Sequence, residues 1–205
     1  MRKTKGFTLI EIVVVLAIIA VIAAFLTPML FDYLKESKVS RGKADVRNIA
    51  AAIANFNRDL QIYPIYNTTT EQKNATILIL KTAEGNAATL TGVTGWNDEV
   101  ALSNQYDSLD NALQAGKLAD GTALYKDVVK KPGEWKGPYM TDFKADPWGN
   151  KYYVSTNGLH PGSTAAAFVI SAGPNGQIET ALNQNIAGGA TAFLVGGDDI
   201  VYRIK

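Results

Sequence analysis

The sequence predicts an α+β protein: a long N-terminal α-helix, its first half apolar enough to cross a membrane, packed on a small antiparallel β-sheet head. Three observations predict it. Ile12 to Phe31 contains no charged residue and follows a basic N-terminus. A helical spacing of apolar residues then continues to about Leu60. The C-terminal third holds short β-type runs separated by turn formers.

The helix comes first. At ~1.5 Å per residue, the uncharged run of about 20 residues covers ~30 Å, the hydrocarbon thickness of a bilayer. Arg2, Lys3 and Lys5 precede it and hold that end in the cytoplasm, so the chain beyond Phe31 is expected outside. A secretory signal would have a shorter apolar region closing on a small-x-small cleavage site. Here Ala17, Ala20, Ala23 and Ala24 lie inside the run. Beyond it, Ile49, Ile53, Phe56 and Leu60 recur at spacings of four, three and four, one apolar stripe for the head to cover. Pro28 predicts a kink or a locally melted stretch. Gly42 is a second weak point, and Tyr63-Pro64 predicts the end. Such a helix, from Phe7 to Leu60, reaches ~80 Å. Glu11 is anomalous: a carboxylate just inside an apolar span costs roughly 2.5–3.5 kcal/mol, so it needs a partner.

Asn67 to Lys131 is polar and turn-rich, with short helical patterns at Ala75–Lys81, Leu109–Leu118 and Ala123–Val129. Its apolar content is too thin for a separate core, so it is expected to be an enlarged connector within the head. Asn67-Thr68-Thr69 and Asn74-Ala75-Thr76 match the glycosylation triplet, a pattern common by chance.

In the last third, Trp135-Lys136-Gly137-Pro138-Tyr139 and Asp146-Pro147-Trp148-Gly149-Asn150 combine turn formers with large rings. The β-type runs are Tyr152–Ser155, Ala166–Ser171 and Ile200–Ile204. Together they predict a small antiparallel sheet laid against the helical stripe.

The chain of 205 residues has net charge +1, so no global field draws it to nucleic acid. It has no cysteine, which excludes disulfides, thiolate metal sites and thiol catalysis. The single histidine, His160, is expected on the surface beside Pro161-Gly162. No nucleophile elbow, phosphate loop, dinucleotide fingerprint or zinc pattern occurs. An enzyme is not expected.

Gly6-Phe7-Thr8-Leu9-Ile10-Glu11, between a basic leader and an apolar helix, resembles the cleavage and methylation signature of type IV pilins and type II secretion pseudopilins. The resemblance implies a cytoplasmic leader of residues 1–6, cut from Phe7 after Gly6 by a prepilin peptidase, with methylation of the new Phe7 amine. It also implies a partner for Glu11. A neighbouring copy's carboxylate meets that amine in low dielectric, and two costly charges become tolerable as a pair. Residues 7–31 then form the transmembrane or filament-core helix and 32–205 the extracytoplasmic head.

Trp135 to Tyr139, Asp146 to Asn150 with Tyr152, Ser171-Ala-Gly-Pro-Asn-Gly176 and Gly197-Asp-Asp-Ile200 occur in an order similar to the major pseudopilin of type II secretion. With the helix, the likeness covers about two-thirds of the chain. Residues 67–131 depart from it, being longer than the family's connector. The resemblance implies a structural subunit of a type II secretion pseudopilus or a type IV pilus-like filament. Its implied partners are further copies, the peptidase, an inner-membrane assembly platform and minor pilins. Its implied place is the inner membrane, single-pass, N-terminus cytoplasmic, and an envelope or surface filament after assembly. The family also pins the loop before its last strand with calcium. Asp198 and Asp199 match its acidic pair, and Asn175 stands where an aspartate often occurs, offering a neutral oxygen. The competing reading makes Asp198-Asp199 a solvated turn and Asn175-Gly176 a tight turn. A functional alternative is a filament-borne or membrane-anchored adhesion module using residues 67–131.

Overall fold

A computed structural model describes residues 6–65, 79–90, 96, 108–118, 121, 123–125, 135–160, 162–182, 184 and 193–205. The chain divides into two compact units, Met1–Lys38 and Val39–Lys205. Helix α1 (Leu9–Leu60) contributes to each.

In the first unit α1 stays helical through Pro28, so the expected melted stretch is not found. One proline removes one donor, and the flanking turns keep theirs. The adjacent Thr27 hydroxyl donates to the Ala23 carbonyl at 2.6 Å, the kind of side-chain bond that helps apolar helices tolerate proline. Every described residue from Gly6 to Lys38 is exposed in the isolated chain.

In the second unit α1 ends before the predicted proline. Gln61 adopts a left-handed φ of 58°, and its N–H donates to the Asn57 carbonyl at 2.8 Å, a left-handed C-terminal cap. The Asn57 side-chain amide donates to the Ile62 carbonyl at 3.1 Å and fixes the exit.

Strands β1 (Ile79–Lys81), β3 (Tyr152–Ser155), β4 (Phe168–Ser171) and β6 (Ile200–Arg203) form an antiparallel sheet in the order β1-β3-β4-β6. Strands β2 (Thr89–Leu90) and β5 (Gln177–Ile178) form a separate parallel pair. Alternation along each strand sends one set of side chains to each face. Leu80, Tyr152, Val154, Val169 and Ile200 pack with Val46, Ile49, Ile53 and Phe56 of the helical stripe. Ile79, Tyr153, Phe168 and Ile170 form a second core with Trp96, Ile178 and Leu182. Burial on both faces explains why β3 and β4 read as continuous apolar runs rather than alternating ones.

Gly42 is a packing residue rather than a weak point. It is buried in α1, and a Cβ there would lie 2.9 Å from Ile200 Cδ1 and 3.3 Å from a Trp148 ring carbon. Gly42→Val is therefore expected to lower stability by roughly 1–3 kcal/mol through overpacking, although it removes glycine's helix penalty of ~1 kcal/mol. A chemical-denaturation midpoint that is unchanged or higher would contradict this.

The connector differs from its predicted helices. Residues 79–81, expected as the end of a helix, form β1 beside β3, where the sheet edge supplies their backbone partners. Asp110–Ala115 forms a π-helical segment inside the predicted Leu109–Leu118. Ala123 makes an antiparallel bridge to Lys117 instead of opening a helix. Residues 75–78 and 126–129, and both glycosylation triplets, lie outside the described residues. The segment supplies core side chains all the same: Leu109, Leu113, Leu118, Leu124 and Tyr125 pack under the helix, and Trp96 packs on the far face of the sheet.

Candidate assembly and loop sites

At the N-terminus the spacing Thr8-Leu9-Ile10-Glu11 builds a capping box. The Thr8 N–H donates to Glu11 Oε2 at 2.8 Å and the Thr8 hydroxyl donates to the same oxygen at 2.7 Å. The Glu11 N–H reaches Thr8 Oγ1 at 3.4 Å. Two otherwise unsatisfied helix-start donors are thus met by side chains. Sequence reasoning gave Glu11 only an intermolecular partner and missed Thr8, although Thr-x-x-Glu before an apolar run is the signal for it. Gly6 and Phe7 precede the helix and are exposed, Phe7 by 81%.

At the other candidate site, tight turns carry the loop residues. Gly173 and Gly176 have φ of 64° and 69°, and Gly197 has 46°. A Cβ on Gly173 would overlap the Asp198 backbone carbonyl, so that position requires glycine, while at Gly197 the left-handed φ favours it. The Asn175 N–H donates to Asp198 Oδ2 at 3.2 Å, which joins the two predicted loops. Asn175 Oδ1 accepts the Gln177 N–H at 2.7 Å, and its amide donates to Glu179 Oε2 at 3.2 Å. Asp199 faces inward. Its Oδ2 accepts the Glu179 and Thr180 N–H groups at 2.9 and 2.7 Å, while its Oδ1 is buried without a hydrogen-bond partner among the described residues. Burial pushes the Asp199 carboxyl above the usual range, with the neighbouring Glu179 charge adding to it and the Thr180 and Glu179 hydrogen bonds opposing it.

The structure therefore brings Asn175, Asp198 and Asp199 to one loop cluster and adds Glu179, which the sequence reading did not single out. The donors are all hard oxygens and one buried carboxylate oxygen is orphaned, both suited to calcium in kind. Among the described residues, however, no group of three or more His, Cys, Asp or Glu is gathered closely enough to hold a metal ion. The solvated-turn reading holds for Asp198, which is exposed in a turn, but not for Asp199, which is 8% exposed.

A third polar centre organises the head. Asp146, 4% exposed, accepts the Trp148 and Asn150 N–H groups at 3.0 and 2.8 Å and the Ser171 hydroxyl at 2.7 Å. These bonds satisfy a buried carboxylate and lock the predicted turn to β4. Nearby, the Tyr152 hydroxyl donates to Asp45 at 2.8 Å and ties α1 to β3. His160 is half-buried at the end of a short turn.

A long apolar helix, its capped acid and a small antiparallel sheet define the α+β architecture of a pilin-like structural subunit. Comparison with known proteins agrees. Residues 1–27 match the prokaryotic N-terminal methylation motif, and residues 100–188 match type II secretion system protein G. The chain is 26% identical to type II secretion system core protein G of Escherichia coli, over 87% of each chain. It is 26% identical to the core protein G of Pseudomonas aeruginosa, over 86% of this chain and 87% of that one. The type IV major fimbrial protein FimA of Dichelobacter nodosus is 42% identical over 27% of this chain and 34% of its own. No solved structure matches. The chain is thus similar to structural subunits of pili and pseudopili rather than to any enzyme. Helix α1 is long and apolar enough to cross a membrane.

Proposed function

We propose that this chain is a processed subunit of a type II secretion pseudopilus or a closely related type IV pilus-like filament. The observation that carries this reading is the first half of α1. It presents large apolar side chains such as Phe25, Leu26 and Leu30, all more than half exposed in the single chain, yet carries Glu11 near its start. Such a helix is stable only when lipid or other copies cover it and the acid is paired.

In this reading the helix crosses the inner membrane once, N-terminus in the cytoplasm and head outside. A prepilin peptidase removes residues 1–6 and methylates Phe7. The Phe7 amine of one copy then meets Glu11 of the next as subunits leave the membrane through an assembly platform, with minor pilins as further partners. Mass spectrometry of the mature protein tests it. A chain beginning at Phe7 and heavier by one methyl group is expected; an intact leader, or a different terminus, overturns the reading.

We further propose that the loop cluster takes calcium through Asp198, Asp199 and Asn175. The orphaned Asp199 Oδ1 and the Glu179 carboxylate, which accepts from the Asn175 amide, support it. Bound there, the ion would neutralise buried negative charge and hold the loop before β6. Calcium at about 100 times its dissociation constant stabilises a folded protein by roughly 2.7 kcal/mol. The expected result is a higher melting temperature with calcium than with chelator, and an Asp199→Asn chain that does not respond. An identical melting temperature in both buffers retires the site.

The described residues of the connector lend the adhesion reading no support. The core residues among them, such as Trp96 and Leu113, serve the head's own packing.

A further inference from the structure

Two surfaces of the chain, one in each unit, face outward without a use in the single chain. Between the second half of α1 and β6 lies an open groove of about 290 Å³, lined by Val46, Val195 and Ile200 together with Lys43, Arg47 and the largely buried Asp199. Tyr202 completes it, its ring beneath the Arg47 guanidinium at 6.0 Å. Val195 and Tyr202 are 50% and 42% exposed. Lys43 and Arg47 have no ion-pair partner among the described residues. The groove therefore combines apolar side chains with two exposed cations, Lys43 and Arg47, while its one acid, Asp199, is buried.

The complementary surface occurs elsewhere on the same chain. Phe25, Met29, Asp32, Tyr33 and Glu36 share one face of α1, at positions i, i+4, i+7, i+8 and i+11. Phe25, Met29 and Tyr33 are 74%, 70% and 70% exposed, among the most open apolar residues of the helix. Asp32 and Glu36 place negative charge at the end of that face. Asp32 has only an exposed contact to Lys35 at 3.7 Å, a pair that exchanges readily.

We infer that this groove receives the α1 face of a second copy, with Met29 and Tyr33 entering the apolar part and Asp32 and Glu36 meeting Lys43 and Arg47. The inference rests on the filament reading and adds to it the surface that orients neighbouring heads. A helix laid in an apolar groove by i, i+4 anchors is a recurrent mode of recognition, and opposite charges at the rim set its register. The charge match favours a second copy over a lipid surface, since Lys43 and Arg47 face a helix carrying its own acids at matching intervals.

The chain has no cysteine, so engineered thiols report cleanly. Filaments of the full chain carrying Glu36→Cys and Arg47→Cys together are expected to give a ladder of covalent oligomers on mild oxidation with diamide, and each single variant none beyond a dimer. Independently, Arg47→Glu is expected to lower filament yield roughly fivefold, the weight of about 1 kcal/mol, and Glu36→Arg in the same chain to restore it. Filaments that form but give no ladder, or a double charge swap that restores nothing, overturn the docking and leave the filament reading standing. Failure of the unsubstituted processed chain to form filaments removes both.

Discussion

Replacing Glu11 with glutamine is expected to leave membrane insertion intact and to reduce filament yield by about a hundredfold or more. Glutamine keeps an oxygen for the Thr8 N–H and hydroxyl, which Glu11 accepts at 2.8 and 2.7 Å, so the start of α1 survives. It loses the charge that the Phe7 amine of a neighbouring copy needs. Breaking a buried ion pair from one side costs about 3–5 kcal/mol, because the surviving charge stays buried and alone; each 1.4 kcal/mol is tenfold. Thr8→Val makes the complementary test. It removes the capping hydroxyl at a cost of about 1 kcal/mol but preserves the charge, so filaments should persist at reduced yield. Sedimented filament measured against total membrane subunit reports both variants. Wild-type yield from Glu11→Gln would end the electrostatic account of assembly.

Trp96→Ala is expected to be the most damaging single change in the head. Trp96 is fully buried and meets Tyr153 and Phe168 edge-on, with ring centroids 6.1 and 6.4 Å apart. Its indole N–H donates to the Thr180 carbonyl at 2.8 Å. Truncating such a ring costs about 3–5 kcal/mol through lost transfer energy and a residual cavity, and it strands a buried carbonyl. Against a total stability of about 5–15 kcal/mol, the midpoint of thermal unfolding should fall by roughly 10 °C or more. Trp96→Phe keeps most of the packing and should lose about a third as much. A small effect from Trp96→Ala would mean that the far face of the sheet is not a true core. The same packing bears on residues 67–131. Their removal would take β1 and Trp96 with it, so loss of export or fibre formation is expected from the deletion, not a selective loss of attachment.

Much of the fold was legible because its signals are local. The uncharged run Ile12–Phe31, the stripe Ile49-Ile53-Phe56-Leu60 and the runs Tyr152–Ser155, Ala166–Ser171 and Ile200–Ile204 are each local signals, and the strands found, 152–155, 168–171 and 200–203, fall within them. The loop cluster was partly legible: Asn175 and Asp198 do meet. Glu179 was not, since its contacts with Asn175 and with the Asp199 carboxylate follow from how the two loops close on each other. Gly42 misled for a similar reason. Its helix propensity is a property of the chain, but its value lies in the approach of Ile200 and Trp148, residues more than a hundred positions away.

By itself the sequence determined the class of this protein: an apolar helix with one acid after a basic leader, and an apolar stripe further along that helix for a small sheet to cover. Periodicity and charge act over a few residues, so no partner needs to be known. Only the tertiary structure decided that the connector is part of two cores, that the stretch 79–81 is a sheet edge rather than a helix, and that Asp199 is buried while Arg47 is left facing out. Those outcomes depend on which distant surfaces compete for the same backbone donors and the same apolar area, and that competition is settled only when the chain closes on itself.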